Sequence, residues 1–152
     1  MKRSRKYDSL KLSNQVCFPL YACSKELVNQ YTPYLKKIGI TYTQYIVMMV
    51  LWEFGSVSSR ELADKVHLDY GTLTPVLKKL ESIGYLTRTR DPEDERLLIV
   101  TITDKGDAVK DEALKIPSCI AACVGLNEEE FKMLYILTYK ALNNMENAKC
   151  NR

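Results

Sequence analysis

The stretch that decides the fold is Leu68-Asp69-Tyr70-Gly71-Thr72-Leu73-Thr74-Pro75-Val76-Leu77-Lys78-Lys79-Leu80-Glu81. Leu73, Val76, Leu77, Leu80 and then Ile83 recur at spacings of three and four, which predicts a helix with one apolar stripe. Asp69 is a good N-cap residue, and Gly84 ends the pattern. Pro75 falls early in this helix, where a missing donor costs less than it would further in.

Upstream, Ser58 with Glu61 opens a short helix carrying Leu62, Ala63 and Val66, and His67-Leu68-Asp69 is a tight connection. Before that, Thr41-Tyr42-Thr43-Gln44 fits a reciprocal cap, and the helix runs through Ile46, Val47, Met49, Val50 and Leu51 to Gly55. Its apolar residues lie on most faces, which predicts full burial. Downstream, Tyr85–Arg90 and part of Leu98–Thr103 alternate as two strands, joined by the polar tip Asp91-Pro92-Glu93-Asp94-Glu95-Arg96.

The flanks are helical. Apolar spacing runs from about Leu10 to Leu35, with Pro19 marking a kink or a helix start. It resumes after Asp104-Lys105-Gly106 to about Cys123, and Asn127 with Glu130 caps a last helix carrying Phe131, Leu134, Leu137, Ala141 and Leu142.

Length and composition bound the answer. A chain of 152 residues, 46% hydrophobic and 27% charged, is an ordinary globular domain with a real core. No apolar run approaches the roughly 20 residues that span a bilayer. Met1-Lys2-Arg3-Ser4-Arg5-Lys6 is basic, but no apolar stretch follows, so no signal peptide is expected. The expectation is a cytoplasmic protein with no membrane partner. Five cysteines, an odd count, argue against a disulfide framework. They are read as buried thiols or as a reactive one. Cys119-x-x-x-Cys123 would need remote ligands to hold zinc, because His67 is the sole histidine. Neither metal nor cofactor is expected.

The order helix, short connection, amphipathic helix, hairpin is that of a winged helix-turn-helix. The second helix of such a pair enters the major groove with its N-terminal residues at the base edges. Here that end offers Tyr70, Gly71, Thr72 and Thr74, the threonines supplying hydroxyls and methyls and Gly71 close backbone approach. Lys78 and Lys79 lie further along, within reach of phosphates. The hairpin carries Arg88 and Arg90 on a strand and Arg96 at its tip, suited to a narrow minor groove. Asp91 and Asp94 are close enough in sequence to orient these guanidiniums. On charge alone, with a net value of +3, a merely solvated surface is an equal reading.

These segments, Ser58–Ala63, Leu68–Glu81 and Arg88–Arg96, resemble the MarR family, and Gly71-Thr72-Leu73-Thr74-Pro75-x-Leu77-Lys78-Lys79-Leu80-Glu81 resembles its OhrR branch. The resemblance spans nearly the whole chain. It implies a homodimer with interlocking terminal helices, bound to a pseudo-palindromic double-stranded DNA operator. The fold expected is mainly α: one domain over 1–152, with dimerisation helices at about 8–36 and 105–147 and the winged helix-turn-helix, with its two-stranded wing, at about 41–103.

Asn14-Gln15-Val16-Cys17-Phe18-Pro19-Leu20-Tyr21 resembles the reactive-cysteine segment of OhrR-type sensors. The resemblance implies a sensor thiol at Cys17, surrounded by tyrosines partly from the other subunit, with Tyr21, Tyr31 and Tyr42 at the matching positions. It also implies a resolving cysteine in some members, with Cys123 the first candidate and Cys119 the second. Without the resemblance, the favoured reading of Cys17 is a small buried hydrophobe, and of the tyrosines core or interface residues. With it, the expected function is that of a repressor, not an enzyme. An organic hydroperoxide oxidises Cys17, and the protein leaves its operator. The alternatives are a repressor released by a small apolar or phenolic ligand, its thiols unused, and a helical thiol peroxidase, for which no motif is present.

Overall fold

The structure is a computed structural model that describes residues 5–92, 94 and 97–150. Arg96 and the side chain of Cys150 lie outside the described residues. The chain forms two compact units, one ending at Ile116 and the other beginning at Pro117.

In the first unit, two 3-10 turns (Arg5–Leu10, Leu12–Asn14) precede α1 (Cys17–Leu35). Apolar spacing from Leu10 suggested an earlier helix start. Pro19 explains the difference: as the third residue of α1 it sits in the first turn, where its missing N–H would have had no helical partner. α2 (Tyr42–Phe54) opens with the reciprocal cap read from sequence. The Thr41 N–H donates to Gln44 Oε1 at 2.8 Å, and the Gln44 N–H to Thr41 Oγ1 at 3.4 Å. α2 is not buried all round, as its composition suggested. Val47, Met48 and Leu51 are fully enclosed, whereas Met49, on the opposite side, and Phe54, at the C-terminal end, are exposed.

α3 (Ser59–Val66) and α4 (Tyr70–Ser82) follow, with N-caps Ser58 and Asp69. Pro75 lies in the second turn of α4, so it removes one helical bond there, later than the sequence suggested. β2 (Leu86–Arg90) and β3 (Leu98–Ile102) form the hairpin. A third strand, β1 (Ser56–Ser58), pairs antiparallel with β3, giving the order β1-β3-β2. The alternation in the sequence predicts only two strands. Three residues are too short to alternate visibly, and β1 exists because Val57 docks opposite Val100.

Leu62, Leu73, Leu77, Leu80, Leu86 and Val100 close the core between α2, α3, α4 and the sheet. Burying one such side chain is worth about 1.5–3 kcal/mol. α5 (Asp104–Ala108) and α6 (Lys110–Ala113) complete this unit. Trp52 Nε1–H donates to the Gly106 carbonyl at 2.9 Å and fixes α5 against α2.

α7 (Ile116–Val124) leads into the second unit, which ends with α8 (Glu128–Cys150). The C-terminal helical stretch is therefore in pieces rather than continuous. Gly125, with φ of 68°, makes the turn. Asn127 and Glu130 then cap α8 reciprocally, at 2.9 and 3.0 Å.

Candidate nucleic-acid interface and thiol site

The α3–α4 turn is set by His67, whose φ of 52° places it in the left-handed region that glycine usually fills. Leu68 N–H bonds back to the Ala63 carbonyl at 3.0 Å, closing α3. Asp69 then folds its carboxylate over the start of α4. The Thr72 N–H donates to Oδ1 at 2.9 Å and the Thr72 hydroxyl to Oδ2 at 2.8 Å. These bonds, the backbone one foremost, hold the Asp69 carboxyl below its usual pKa. Gly71 has a local role here: a Cβ would stand 3.0 Å from Asp69 Oδ1. The Thr74 hydroxyl donates to the Tyr70 carbonyl at 2.8 Å. Both threonine protons are thus committed within the helix. Tyr70, Thr72, Thr74, Lys78 and Lys79 are all exposed.

In the wing, Arg88 is held differently from the sequence expectation. Strand alternation puts Leu86, Arg88 and Arg90 on one face, and Leu86 is buried toward the helices. Arg88 accordingly reaches α4. Its Nε and Nη2 donate to Glu81 Oε2 at 3.0 and 2.5 Å. The partner that orients Arg88 is Glu81, a residue the sequence reading passed over, and not Asp91 or Asp94. Spacing along the chain could not reveal it, because the pair depends on how a strand lies on a helix. Arg88 lowers the Glu81 pKa through the side-chain bond. The tip is closed by its own residues, Leu97 N–H donating to the Asp94 carbonyl at 2.8 Å and Asp94 N–H to the Asp91 side-chain Oδ1 at 3.3 Å. Arg90 is exposed on its strand.

Cys17 is the first residue of α1 and is exposed. Because α1 continues past Pro19, Tyr21 lies one turn on from Cys17 along the same side. Upstream, Asn14 Nδ2 donates to the Asp8 carbonyl at 2.7 Å and Gln15 Nε2 to the Ser9 carbonyl, folding the preceding segment back.

Tyr31 and Tyr42 are brought together, their rings 4.9 Å apart edge to face. Tyr45, which the sequence reading missed, joins them at 5.7 Å from Tyr31. Its signal was only that it shares the capped first turn of α2. Burial, with its two neighbours adding, pushes the Tyr31 phenol up to about 12. Burial also raises Tyr42 and Tyr45. These phenols therefore remain protonated donors at neutral pH. Along α1, fourteen residues separate Cys17 from Tyr31, a rise of about 21 Å. The structure thus pairs Tyr31 with Tyr42 at one end of α1 and leaves Cys17 with Tyr21 at the other.

Cys119 (half-buried) and Cys123 (exposed) are one turn apart on α7. Among the described residues, no three His, Cys, Asp or Glu gather as a metal site. No helix of the described residues is long and apolar enough to cross a membrane.

The capped helix pair and the three-stranded wing define a winged helix-turn-helix regulator. Residues 29–113 match the family described as transcriptional regulator SarA/Rot. The organic hydroperoxide resistance transcriptional regulator of Bacillus subtilis (strain 168) is 40% identical over 140 residues, 92% of this chain and 95% of that protein. SarZ of Staphylococcus aureus (strain USA300) is 42% identical over 119 residues, 78% of this chain and 80% of its own. Among solved structures, AbfR, a protein of Staphylococcus epidermidis, has been seen reduced on DNA (34% identity, TM-score 0.76, covering 92% of this chain and 98% of that one). It has also been seen overoxidised on DNA (33% identity, TM-score 0.74, the same coverage) and with a disulfide formed (34% identity, TM-score 0.64, 90% and 96%). The chain belongs to the SarA/Rot family of winged-helix transcriptional regulators, and the resemblance to MarR-type regulators of the OhrR branch is borne out.

Proposed function

We propose that this chain is a cytoplasmic, homodimeric repressor that senses organic hydroperoxides through Cys17 and then releases its operator. The observation that carries this reading is the separation of about 21 Å along α1 between Cys17 and Tyr31. Of the tyrosines at the family positions, Tyr31, and Tyr42 packed against it, lie too far from the start of α1 to reach the thiol of their own chain. They can do so across a dimer, where the Tyr31–Tyr42 end of one copy meets the Cys17 end of another. Exposed Val16, Phe18 and Leu20 flank Cys17, and Phe131, Met133, Leu134 and Leu137 are exposed on α8, apolar surface of the kind a partner covers.

The chemistry follows from that shell. Phenols that keep their protons can donate hydrogen bonds to the sulfur of Cys17 as it reacts. The thiolate attacks the outer oxygen of ROOH. The O–O bond breaks, one proton is taken up, and Cys17 sulfenic acid and the alcohol ROH result. A second thiol, with Cys123 preferred and Cys119 next, displaces water from the sulfenic acid to give a disulfide. The apolar side chains around Cys17 favour an organic peroxide over hydrogen peroxide. An overoxidised AbfR on DNA supports assigning release to the disulfide rather than to added oxygen.

DNA contacts are assigned to Tyr70, Gly71, Thr72, Thr74, Lys78, Lys79, Arg90, Asp94 and Arg96, with Arg88 as a bracket between wing and α4. The test is intact mass under non-reducing conditions after stoichiometric cumene hydroperoxide. A covalent dimer is expected for the wild type. A monomer carrying a small-thiol adduct, once such a thiol is supplied, would replace the disulfide step with a one-cysteine route. An unmodified Cys17 would contradict the sensor reading.

A further inference from the structure

We propose that the recognition helix reads thymine 5-methyl groups, and that Thr72 and Thr74 do so with their methyls rather than their hydroxyls. The inference rests on the DNA-binding reading above. Residues 70–76 contain no Arg, Lys, Asn or Gln, the side chains that make two-point contacts to guanine or adenine. Threonine hydroxyls could supply single donors in their place, but here both protons are already used. Thr72 donates to the Asp69 carboxylate and Thr74 to the Tyr70 carbonyl, each at 2.8 Å. Turning either hydroxyl toward a base acceptor would break a bond that holds the first turn of α4 together.

The groups left for the groove at Thr72 and Thr74 are the methyls, with hydroxyl lone pairs that accept but do not donate. The exposed Pro75 ring adds apolar surface beside them, and Tyr70 offers one phenol. In the major groove, the thymine 5-methyl is the apolar feature such a surface fits. Lys78 lies eight residues beyond Tyr70, about 12 Å along the axis, which suits phosphate rather than the base edges under the first turn.

The full-length protein is first used to enrich binding sites from a randomised duplex pool, and the preferred duplex is then resynthesised with uracil replacing single thymines. The expected result is a thymine-containing half-site in which one or two replacements per half-site weaken binding about fourfold each, the value of one buried methyl. Thr72→Val and Thr74→Val are expected to keep that uracil sensitivity, and Thr72→Ser and Thr74→Ser to lose it. The uracil arm uses unaltered protein, so it stands even where a variant folds poorly. A preferred duplex bound equally with uracil, or Ser variants that retain the sensitivity, would overturn the inference alone. A pool yielding no preferred sequence would overturn the regulator reading, and this inference with it.

Discussion

Gly106 sits where no other residue fits. A Cβ there would lie 2.0 Å from the Tyr85 carbonyl oxygen, a backbone atom with no freedom to retreat, while its own carbonyl receives Trp52. Gly106→Ala is expected to cost about 3 kcal/mol, read as a lower urea midpoint with unchanged slope. Arg88 is a second case of a role set by one neighbour. Held by Glu81, its guanidinium is already engaged with a carboxylate. Arg88→Gln and Glu81→Gln are therefore expected to weaken DNA binding to similar extents without changing the salt slope, whereas Lys78→Ala should lower the slope by about 1. A slope change in Arg88→Gln alone would return it to the phosphate contacts. Neither feature was legible in the sequence. Gly106 reads as an ordinary break, and nothing in the spacing of Glu81 along its helix points to a strand partner.

At the level of elements, what sequence shows best is local. The caps at Thr41, Ser58, Asp69 and Asn127 were readable because donor and acceptor lie within three residues of each other. The α3–α4 turn was placed without its mechanism, since His67 does what glycine usually does. β1 and the exposed side of α2 were not readable, because each depends on what packs against it. The same distinction limits the thiol site. Cys17, Tyr21, Tyr31 and Tyr42 were nameable from motif spacing, but their division between the two ends of α1 needed the continuous helix.

The cap of α4 yields a pH prediction. The Asp69 pKa is depressed in the folded protein, so its stabilising contribution is present above its unfolded value. The contribution is lost as pH falls through the lower folded value. Asp69→Asn is expected to retain the cap at neutral pH and to flatten this acid-side loss. Equal acid sensitivity in the variant would show that the carboxylate is not the group concerned.

Across the whole molecule, the proposed sensor joins the tyrosine end of one copy to the Cys17 end of another. Tyr31 is raised to about 12, so its neutral form favours folding below an ordinary phenol value of roughly 10. That advantage is lost as pH rises through about 12. Ultraviolet titration of the phenolates should show a late step near that value, and Tyr31→Phe should abolish it. The same variant should slow oxidation of Cys17 while leaving operator affinity intact, because it lies outside the helix-turn-helix. Loss of DNA binding in Tyr31→Phe before any peroxide is added would place Tyr31 in folding alone.

The most direct test is operator release on peroxide, followed by fluorescence anisotropy of a labelled duplex bound to wild type and to Cys17→Ser. Stoichiometric cumene hydroperoxide is expected to dissociate the wild type and leave Cys17→Ser bound with its starting affinity. A Cys17→Ser variant that leaves the duplex as readily as the wild type would contradict the sensor assignment and favour release by a small ligand.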